Sequence, residues 1–319
     1  MKRILVTGAV GQIGSELVPF LREKYGGGNV VAAGHRTEPG EELKNGGPFE
    51  FIDVLKPELL DSKIREHRID TIYHMASILS KLAEQNPQLA YRVDFHGDYN
   101  VLEAARKNDV DQVMFPSSIA AFGPQSPRER TPNDAIQDPT TIYGISKVFG
   151  ELMGHYYYHR YDVDVRSVRY PGIISWATEP VGGTTDYAVA IYYEAIRSGK
   201  YTCYLREDTM LPMMYMPDAI KSITQLAEAK IGKIHHHANY NVTAMSFTPK
   251  EIAAEIKKHI PEFEIEYKVD EARQAIADSW PMSLDDSAAR KDWGWEPEYD
   301  LEGMTKDMLE NLRKKLGKE

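Results

Sequence analysis

The chain has 319 residues and carries 38 lysine and arginine residues against 48 aspartate and glutamate residues, a formal net charge of −10. This acidic balance excludes a typical nucleic-acid binder, which presents a basic surface to the phosphate backbone. The lone cysteine, Cys203, excludes an internal disulfide, and no apolar run is long enough to cross a membrane. We therefore expect a cytoplasmic protein with enough residues for one large domain or two lobes.

The first predicted element is a short apolar strand at residues 4–6, followed by three glycines at intervals of three, Gly8, Gly11 and Gly14. Gly8 allows a tight turn, Gly11 allows a pyrophosphate to approach the backbone, and Gly14 allows a helix to pack against the strand. The helix that follows offers free N–H groups and a partial positive charge to phosphates. The pattern predicts a dinucleotide-binding turn, although a glycine-rich turn without a ligand fits the same residues.

Strands and helices alternate through the first half of the chain. The predicted strands are 4–6, 30–33, 49–52, 71–75, 113–116 and 163–170, and the predicted helices are 14–24, 59–67, 87–108 and 141–161. This alternation predicts an α/β fold, a Rossmann-type doubly wound parallel sheet with helices on both faces. Because the rhythm breaks after Tyr170, we predict a nucleotide-binding domain at 1–174 and a smaller C-terminal α/β substrate lobe at 175–319, which ends in an amphipathic helix at Leu301–Leu316.

The second strand lacks the acidic residue that usually binds the adenosine ribose of NAD. Gly34 stands in its place, and His35 and Arg36 follow. Arg36 suits a 2′-phosphate, which favours NADP. The alternative is that Arg36 stacks on adenine or lies in solvent while NAD binds.

Two further segments suggest chemistry. Tyr143 and Lys147 lie four residues apart on a predicted helix and therefore share a face. An ammonium beside a phenol favours the phenolate, which can act as a general base on an alcohol. Ser118 follows a predicted strand, at the sheet edge where ligands of such folds bind.

Taken together, the glycine pattern, the Ser118, Tyr143 and Lys147 set, and the segment 294–297 resemble the extended short-chain dehydrogenase/reductase family over essentially the whole chain. Within it the chain is most similar to the branch that oxidises the 3-hydroxyl of L-threonine. The segments behind this narrower resemblance are 74–80, 169–174, 182–187, 211–218, 240–243 and Trp280-Pro281.

The resemblance implies a role for each site residue. Tyr143 would act as the base, Ser118 would orient the hydroxyl, and Lys147 would hold the nicotinamide ribose. The amino acid would contact Ser80, Ser118, Tyr143, Gly183, Thr184, Thr185 and Trp280. The cofactor would contact Thr7, Gly8, Gly11, Gln12, Ile13, Gly14, His35, Arg36, Asp53, Val54, Met75, Ala76, Ser117, Tyr143, Lys147, Tyr170, Pro171 and Ile173. The resemblance also implies NAD rather than NADP, a homodimer built on two helices, and a substrate lobe that closes over its ligand.

Two other functions fit the fold. One is a nucleotide-sugar epimerase or dehydratase, which needs cations for a diphosphate, although the segment 209–216 is apolar. The other is a non-catalytic dinucleotide sensor, which would need no general base. We predict no metal site, because the adjacent residues His235, His236 and His237 would point to opposite faces of an exposed strand. Asp94 replaces an asparagine of the family's proton relay, so it either alters that relay or is a solvated helix residue.

Overall fold

The computed structural model describes residues 2–180 and 182–318. Its strands are β1 Ile4–Thr7, β2 Val30–Gly34, β3 Phe49–Phe51, β4 Thr71–His74, β5 Gln112–Ser118, β6 Asp164–Tyr170, β7 Gly172–Ile174, β8 Lys200–Cys203, β9 Leu211–Tyr215, β10 Tyr240–Asn241, β11 Met245–Phe247 and β12 Glu264–Tyr267. Its α-helices are α1 Gly14–Tyr25, α2 Glu41–Asn45, α3 Pro57–His67, α4 Ser80–Gln85, α5 Pro87–Ala90, α6 Gly97–Lys107, α7 Ile142–Tyr161, α8 Tyr187–Arg197, α9 Met216–Glu228, α10 Pro249–His259, α11 Glu271–Asp278, α12 Ser287–Trp293 and α13 Leu301–Leu316.

Seven strands form the central sheet, in the order β10-β6-β5-β4-β1-β2-β3. Every neighbouring pair is parallel. The chain runs from β1 to one edge through β2 and β3, and then crosses to the other side through β4, β5 and β6. This confirms the predicted doubly wound fold and places its topological switch point between β1 and β4, where such sheets bind ligands.

Two smaller sheets and the helices α8–α13 form most of the described structure that follows β6. The strand β9 lies between β7 and β11 in one sheet, and β8 pairs with β12 in the other. Aromatic and aliphatic side chains of α8, α10 and α13 form a second core with these strands. The helix α9 instead packs with residues of β5 and β6, and β10 joins the central sheet. The division of the chain at residue 174 stays a prediction.

The long helix predicted at 87–108 is divided in three. Its first turn is α5, residues Tyr91–His96 form a π-helical turn, and α6 completes it. π-Helical turns are rare, and they are frequent at functional sites. The wider turn brings Asp94 to the inside of the fold, where its side chain is 1% exposed.

The predicted strand at residues 235–237 is wrong. His235, His236 and His237 lie in a bend, and His237 has a φ of 48°, in the left-handed region that a strand does not use. The Nδ1 atom of His235 lies 3.0 Å from a carboxylate oxygen of Asp292. In the described part of the chain, no helix is both long and apolar enough to cross a membrane.

Candidate active site

The carboxyl ends of β1, β4, β5 and β6 border one cavity of about 320 Å³. Segments that are far apart in sequence converge there, as parallel strands at a switch point allow. Predicted residues that line it are Gly8, Gly11, Gln12, Ile13, Gly14, Met75, Ser80, Ser117, Ser118, Tyr143, Lys147, Tyr170, Pro171, Ile173, Gly183, Thr184, Thr185 and Trp280. Predicted residues outside the lining are Thr7, His35, Arg36, Asp53, Val54 and Ala76.

The glycine turn forms one wall of the cavity, and neither Gly8 nor Gly14 has room for a side chain. Gly8 has a φ of 66°, and a Cβ atom there would lie 2.6 Å from the backbone of Ala76 and Met75. A Cβ atom on Gly14 would lie 2.3 Å from the Gly8 carbonyl oxygen. The helix α1 begins at Gly14, and no side chain caps its N-terminus. The N–H groups of Ser15 and Glu16 donate to the carbonyl oxygens of Gly11 and Ile13, so this end of the helix offers mainly its partial positive charge to the open cavity, which fits the pyrophosphate of a dinucleotide.

Beyond the cavity, the residues predicted for the adenosine end lie near β2 and β3. A Cβ atom on Gly34 would come 2.9 Å from the Phe49 ring, so an acidic side chain does not fit there without movement. His35 and Arg36 are exposed, and the Nε2 atom of His35 lies 3.7 Å from a carboxylate oxygen of Asp53. Arg36 forms no ion pair with any residue that the structure describes.

The helix α7 presents Tyr143 and Lys147 to the cavity. Thr141 caps this helix by accepting a hydrogen bond from the Gly144 N–H. The Lys147 Nζ atom lies 5.0 Å from the centre of the Tyr143 ring and donates a 3.2 Å hydrogen bond to the Ser77 hydroxyl. Burial opposes the charge of Lys147, but the neighbouring Tyr143, Asp98 and Asp94 outweigh it and raise the pKa of the ammonium. Lys147 is therefore a fixed cation beneath the phenol.

Ser118 ends β5 and faces Tyr143 across the same cavity. Its hydroxyl oxygen accepts a 3.2 Å hydrogen bond from the Ala120 N–H, which leaves the hydroxyl proton available to a ligand. The neighbouring Ser117 donates a 2.5 Å hydrogen bond to Glu151 from its buried hydroxyl. The two serines thus differ: one hydroxyl is available to a ligand, and the other is held by the protein.

Behind Ser117 lies a buried ion pair that our sequence reasoning missed. Arg169 donates two hydrogen bonds to Glu151, of 2.8 and 2.7 Å, and the two side chains are 1% and 2% exposed. Gln137 donates a further 2.7 Å hydrogen bond to the same carboxylate. The pair joins β6 to α7, one turn beyond Lys147. The sequence did contain a signal for this pair, because Arg169 is a charged residue inside a strand that was predicted to be buried.

The residues predicted for the substrate form the opposite wall. Asp186, which was not predicted, accepts hydrogen bonds of 2.7 and 2.8 Å from the N–H groups of Gly182 and Gly183. Tyr204 donates to the carbonyl oxygens of Gly183 and Thr184. The Thr184 hydroxyl is buried without a hydrogen-bond partner among the described residues. A buried, unpaired hydroxyl beside a cavity fits a polar ligand.

Asp94 lies below the same cavity, and it is not a solvated helix residue. Its Oδ1 atom accepts a 2.7 Å hydrogen bond from the Ile78 N–H. Burial raises the pKa of Asp94 to about 6, and the Lys147 charge and the Ile78 N–H offset this effect only in part.

Comparisons with known proteins identify the family and similar structures. Residues 4–242 match the model of the NAD dependent epimerase/dehydratase family. An L-threonine dehydrogenase structure from Clostridium difficile is 51% identical with a TM-score of 0.96, covering 99% of this chain and 98% of that one. A monomeric L-threonine 3-dehydrogenase from a metagenome is 46% identical with a TM-score of 0.94, covering 99% and 100%. An uncharacterized epimerase/dehydratase from Staphylococcus haemolyticus is 50% identical, and 99% of each chain is covered.

Proposed function

The chain belongs to the NAD dependent epimerase/dehydratase family, and on that basis we propose that it is an L-threonine 3-dehydrogenase that uses NAD. The observation that carries the proposal is the meeting, in one cavity, of the Ser118 hydroxyl, the Tyr143 phenol above the Lys147 ammonium, and a glycine turn in which two glycines have no room for a side chain. Its similarity to solved L-threonine dehydrogenases over nearly the whole chain supports the choice of substrate.

The cofactor would lie along the glycine turn. The glycine turn and the positive N-terminal end of α1 would hold its pyrophosphate, and Tyr170, Pro171 and Ile173 would border the nicotinamide. Asp53, which lies outside the cavity lining, would contact the adenosine end. When bound, NAD supplies the acceptor for the hydride that leaves carbon 3 of threonine.

The protein's own residues remove the proton of the threonine 3-hydroxyl. The Ser118 hydroxyl orients the 3-hydroxyl of threonine, and the Tyr143 phenolate oxygen accepts the proton of that hydroxyl. Lys147 stabilises the phenolate by charge and holds the nicotinamide ribose. The substrate loses one proton and one hydride from the same alcohol and becomes 2-amino-3-oxobutanoate.

The chemistry of the cavity wall favours a small substrate over a sugar nucleotide. Among the described lining residues, Lys147 is the only lysine or arginine, and it already contacts Ser77 and the Tyr143 ring. A sugar diphosphate needs several cationic partners. Hydroxyls and backbone N–H groups instead suit a small zwitterion, which the residues Ser80, Gly183, Thr184, Thr185 and Trp280 would surround.

The first test is nicotinamide reduction with L-threonine, with NAD and NADP in parallel. We expect reduction with NAD, because the chain belongs to the NAD dependent epimerase/dehydratase family and resembles solved L-threonine dehydrogenases over nearly its whole length. The variant Arg36→Ala should change the KM for NAD less than about threefold, since an exposed contact contributes little. Reduction with NADP alone would overturn the choice of cofactor. No reduction with either would overturn the choice of reaction, and interconversion of a sugar nucleotide would then replace it.

We propose that two copies pair through the outer faces of α6 and α7, although one similar solved protein is monomeric. Ile145, Leu152 and Tyr156 lie along one face of α7 and are 45%, 62% and 51% exposed, and Tyr91 and Tyr99 are exposed beside them. Several large apolar side chains on one face typically mark a protein interface.

Light scattering at micromolar concentration tests this pairing. The protein should have the mass of two chains, and Leu152→Glu should reduce it to one, because a carboxylate cannot be buried unpaired in an apolar interface. The control Ile231→Glu changes a similarly exposed residue, 46% exposed, outside those helices and should leave the mass unchanged. A single-chain mass for the unaltered protein would contradict the proposal.

A reducing compartment such as the cytoplasm suits the single thiol. Cys203 is buried in the core that α8 and α13 share, and burial raises its pKa to about 11. A thiol in this state is a poor nucleophile and a poor metal ligand. We therefore assign Cys203 a packing role only.

A further inference from the structure

Asp94 is a buried carboxylate that the proposed reaction does not use directly. The π-helical turn Tyr91–His96 directs it inward, and its side chain is 1% exposed. One oxygen, Oδ1, accepts the Ile78 N–H at 2.7 Å. The other, Oδ2, is buried without a hydrogen-bond partner in the part of the chain that the structure describes. Burial outweighs the groups that stabilise the charge of this carboxylate and raises its pKa, so its presence is costly and calls for a function.

The contacts of Asp94 connect it to the cavity wall. Ile78 lies between Ser77 and Leu79, and both of these line the cavity. The Ser77 hydroxyl in turn accepts the hydrogen bond from Lys147. The carboxylate therefore holds the backbone of this segment through the Ile78 N–H, and the Ser77 hydroxyl, which contacts the ammonium, also stabilises the negative charge of Asp94.

The charged groups that face Asp94 come from two packed helices. Lys147 of α7 attracts its negative charge, and Asp98 of α6 opposes it. The Asp98 carboxylate is itself 3.0 Å from the Nε2 atom of His74. On α7 itself, Tyr143 one turn before Lys147 and Glu151 one turn after it also act on the ammonium, and Glu151 is paired with Arg169. Lys147 is thus the cation that Asp94 and Asp98 share.

On the basis of the proposed function, we propose that Asp94 is a positioning residue: its ionised carboxylate holds the segment 77–79 and the Lys147 ammonium in the reactive arrangement, and protonation of the carboxylate releases both. The step takes up one proton from solvent at Oδ2 and breaks no covalent bond. A protonated carboxyl is a weaker acceptor for the Ile78 N–H and no longer attracts the ammonium.

The proton should bind in mildly acidic solution. Burial raises the pKa of Asp94 to about 6, so the carboxylate is largely ionised at neutral pH and largely protonated at pH 5. With that midpoint, the ionised fraction falls about tenfold between pH 7 and pH 5. The activity that depends on it should fall by the same factor, in addition to any loss from protonation of the catalytic base.

The test uses the ligand-free protein, so it does not depend on turnover. The NMR signals of the Ile78 amide and the Lys147 side chain are followed from pH 4 to pH 8. We expect both to titrate together with a midpoint near 6, and Asp94→Asn to abolish this step while its amide oxygen still accepts the Ile78 N–H. The matched control Asp98→Asn removes the other carboxylate and should leave the step in place, moved to lower pH. A midpoint near that of an ordinary aspartate, or the same step in Asp94→Asn, would overturn the proposal.

The kinetic arm compares pH profiles of kcat for L-threonine oxidation. Between pH 7 and pH 5, the factor by which kcat falls should be about ten times larger for the unaltered protein than for Asp94→Asn. Parallel profiles for the two proteins would overturn the role of Asp94 in the reaction. If neither protein oxidises L-threonine, the proposed function fails, and the NMR titration still decides whether Asp94 holds the cavity wall.

Discussion

Replacing Tyr143 with phenylalanine is expected to lower kcat for L-threonine oxidation by about 100- to 10,000-fold, the usual contribution of a general base. The variant removes one oxygen and keeps the ring above Lys147 Nζ, which lies 5.0 Å from the ring centre. The cavity should therefore keep its shape and its cofactor. Steady-state kinetics with saturating NAD measure the loss, and quenching of NADH fluorescence should give a dissociation constant within about threefold of the original.

The matched control for this variant lies on the same helix. Tyr156→Phe also removes a phenol oxygen from α7, but Tyr156 is 51% exposed on the outer face and lies outside the cavity lining. It should leave kcat unchanged. If Tyr143→Phe retained more than a tenth of the activity, the proton would have to leave the substrate by another route, and the assignment of Tyr143 as the base would be wrong.

The second large effect concerns stability. Glu151→Gln should lower the free energy of unfolding by about 3–5 kcal/mol, because it leaves the Arg169 guanidinium buried without its counter-ion. Arg169 is 1% exposed, so water cannot replace the lost carboxylate. Urea denaturation followed by circular dichroism measures the change. Because Ser117 donates its hydroxyl proton to the same carboxylate, the segment that carries Ser118 should also shift.

Two controls separate the buried pair from ion pairs in general. Glu179→Gln removes an ion pair with Arg197 whose 2.6 Å contact is close to the 2.7 Å of the buried pair, but its side chains are 57% and 38% exposed. It should cost less than about 1 kcal/mol. The double variant Glu151→Leu with Arg169→Met should recover much of the loss, because it leaves no unpaired buried charge. A small effect of Glu151→Gln alone would mean that water or movement of α7 compensates the charge.

The glycine turn and the helix that carries Tyr143 and Lys147 could be predicted because their signals are local. The spacing of Gly8, Gly11 and Gly14 is a motif within seven residues, although the contacts that require Gly8 are with the distant Met75 and Ala76, and Tyr143 and Lys147 share a face by helix geometry alone. Ser118 follows from the rule that parallel strands end at a common edge. By contrast, nothing local indicates that Thr184 or Trp280 faces Tyr143. Those residues were named only from the family resemblance.

Other features depend on tertiary contacts that no local pattern reports. The π-helical turn exists where Asp94 reaches the Ile78 backbone, and the sequence of residues 87–108 is equally compatible with a regular helix. The short helices α2 and α4 have too few turns to produce a recognisable period. The three consecutive histidines suggested a strand, but His237 adopts a left-handed conformation that residue type does not indicate.

The position of β10 bears on how the chain folds as it is synthesised. Until residues 240 and 241 leave the ribosome, β6 is an unprotected edge strand, because only β5 is available to pair with it. Unpaired edges invite pairing with other chains. Arg169 also lacks one hydrogen-bond partner until then, because the Asn241 side chain accepts one of its hydrogen bonds. A nascent chain that stalls before this point would carry six of the seven strands of the central sheet, with β6 exposed as an unpaired edge. We expect a chaperone to bind such a chain.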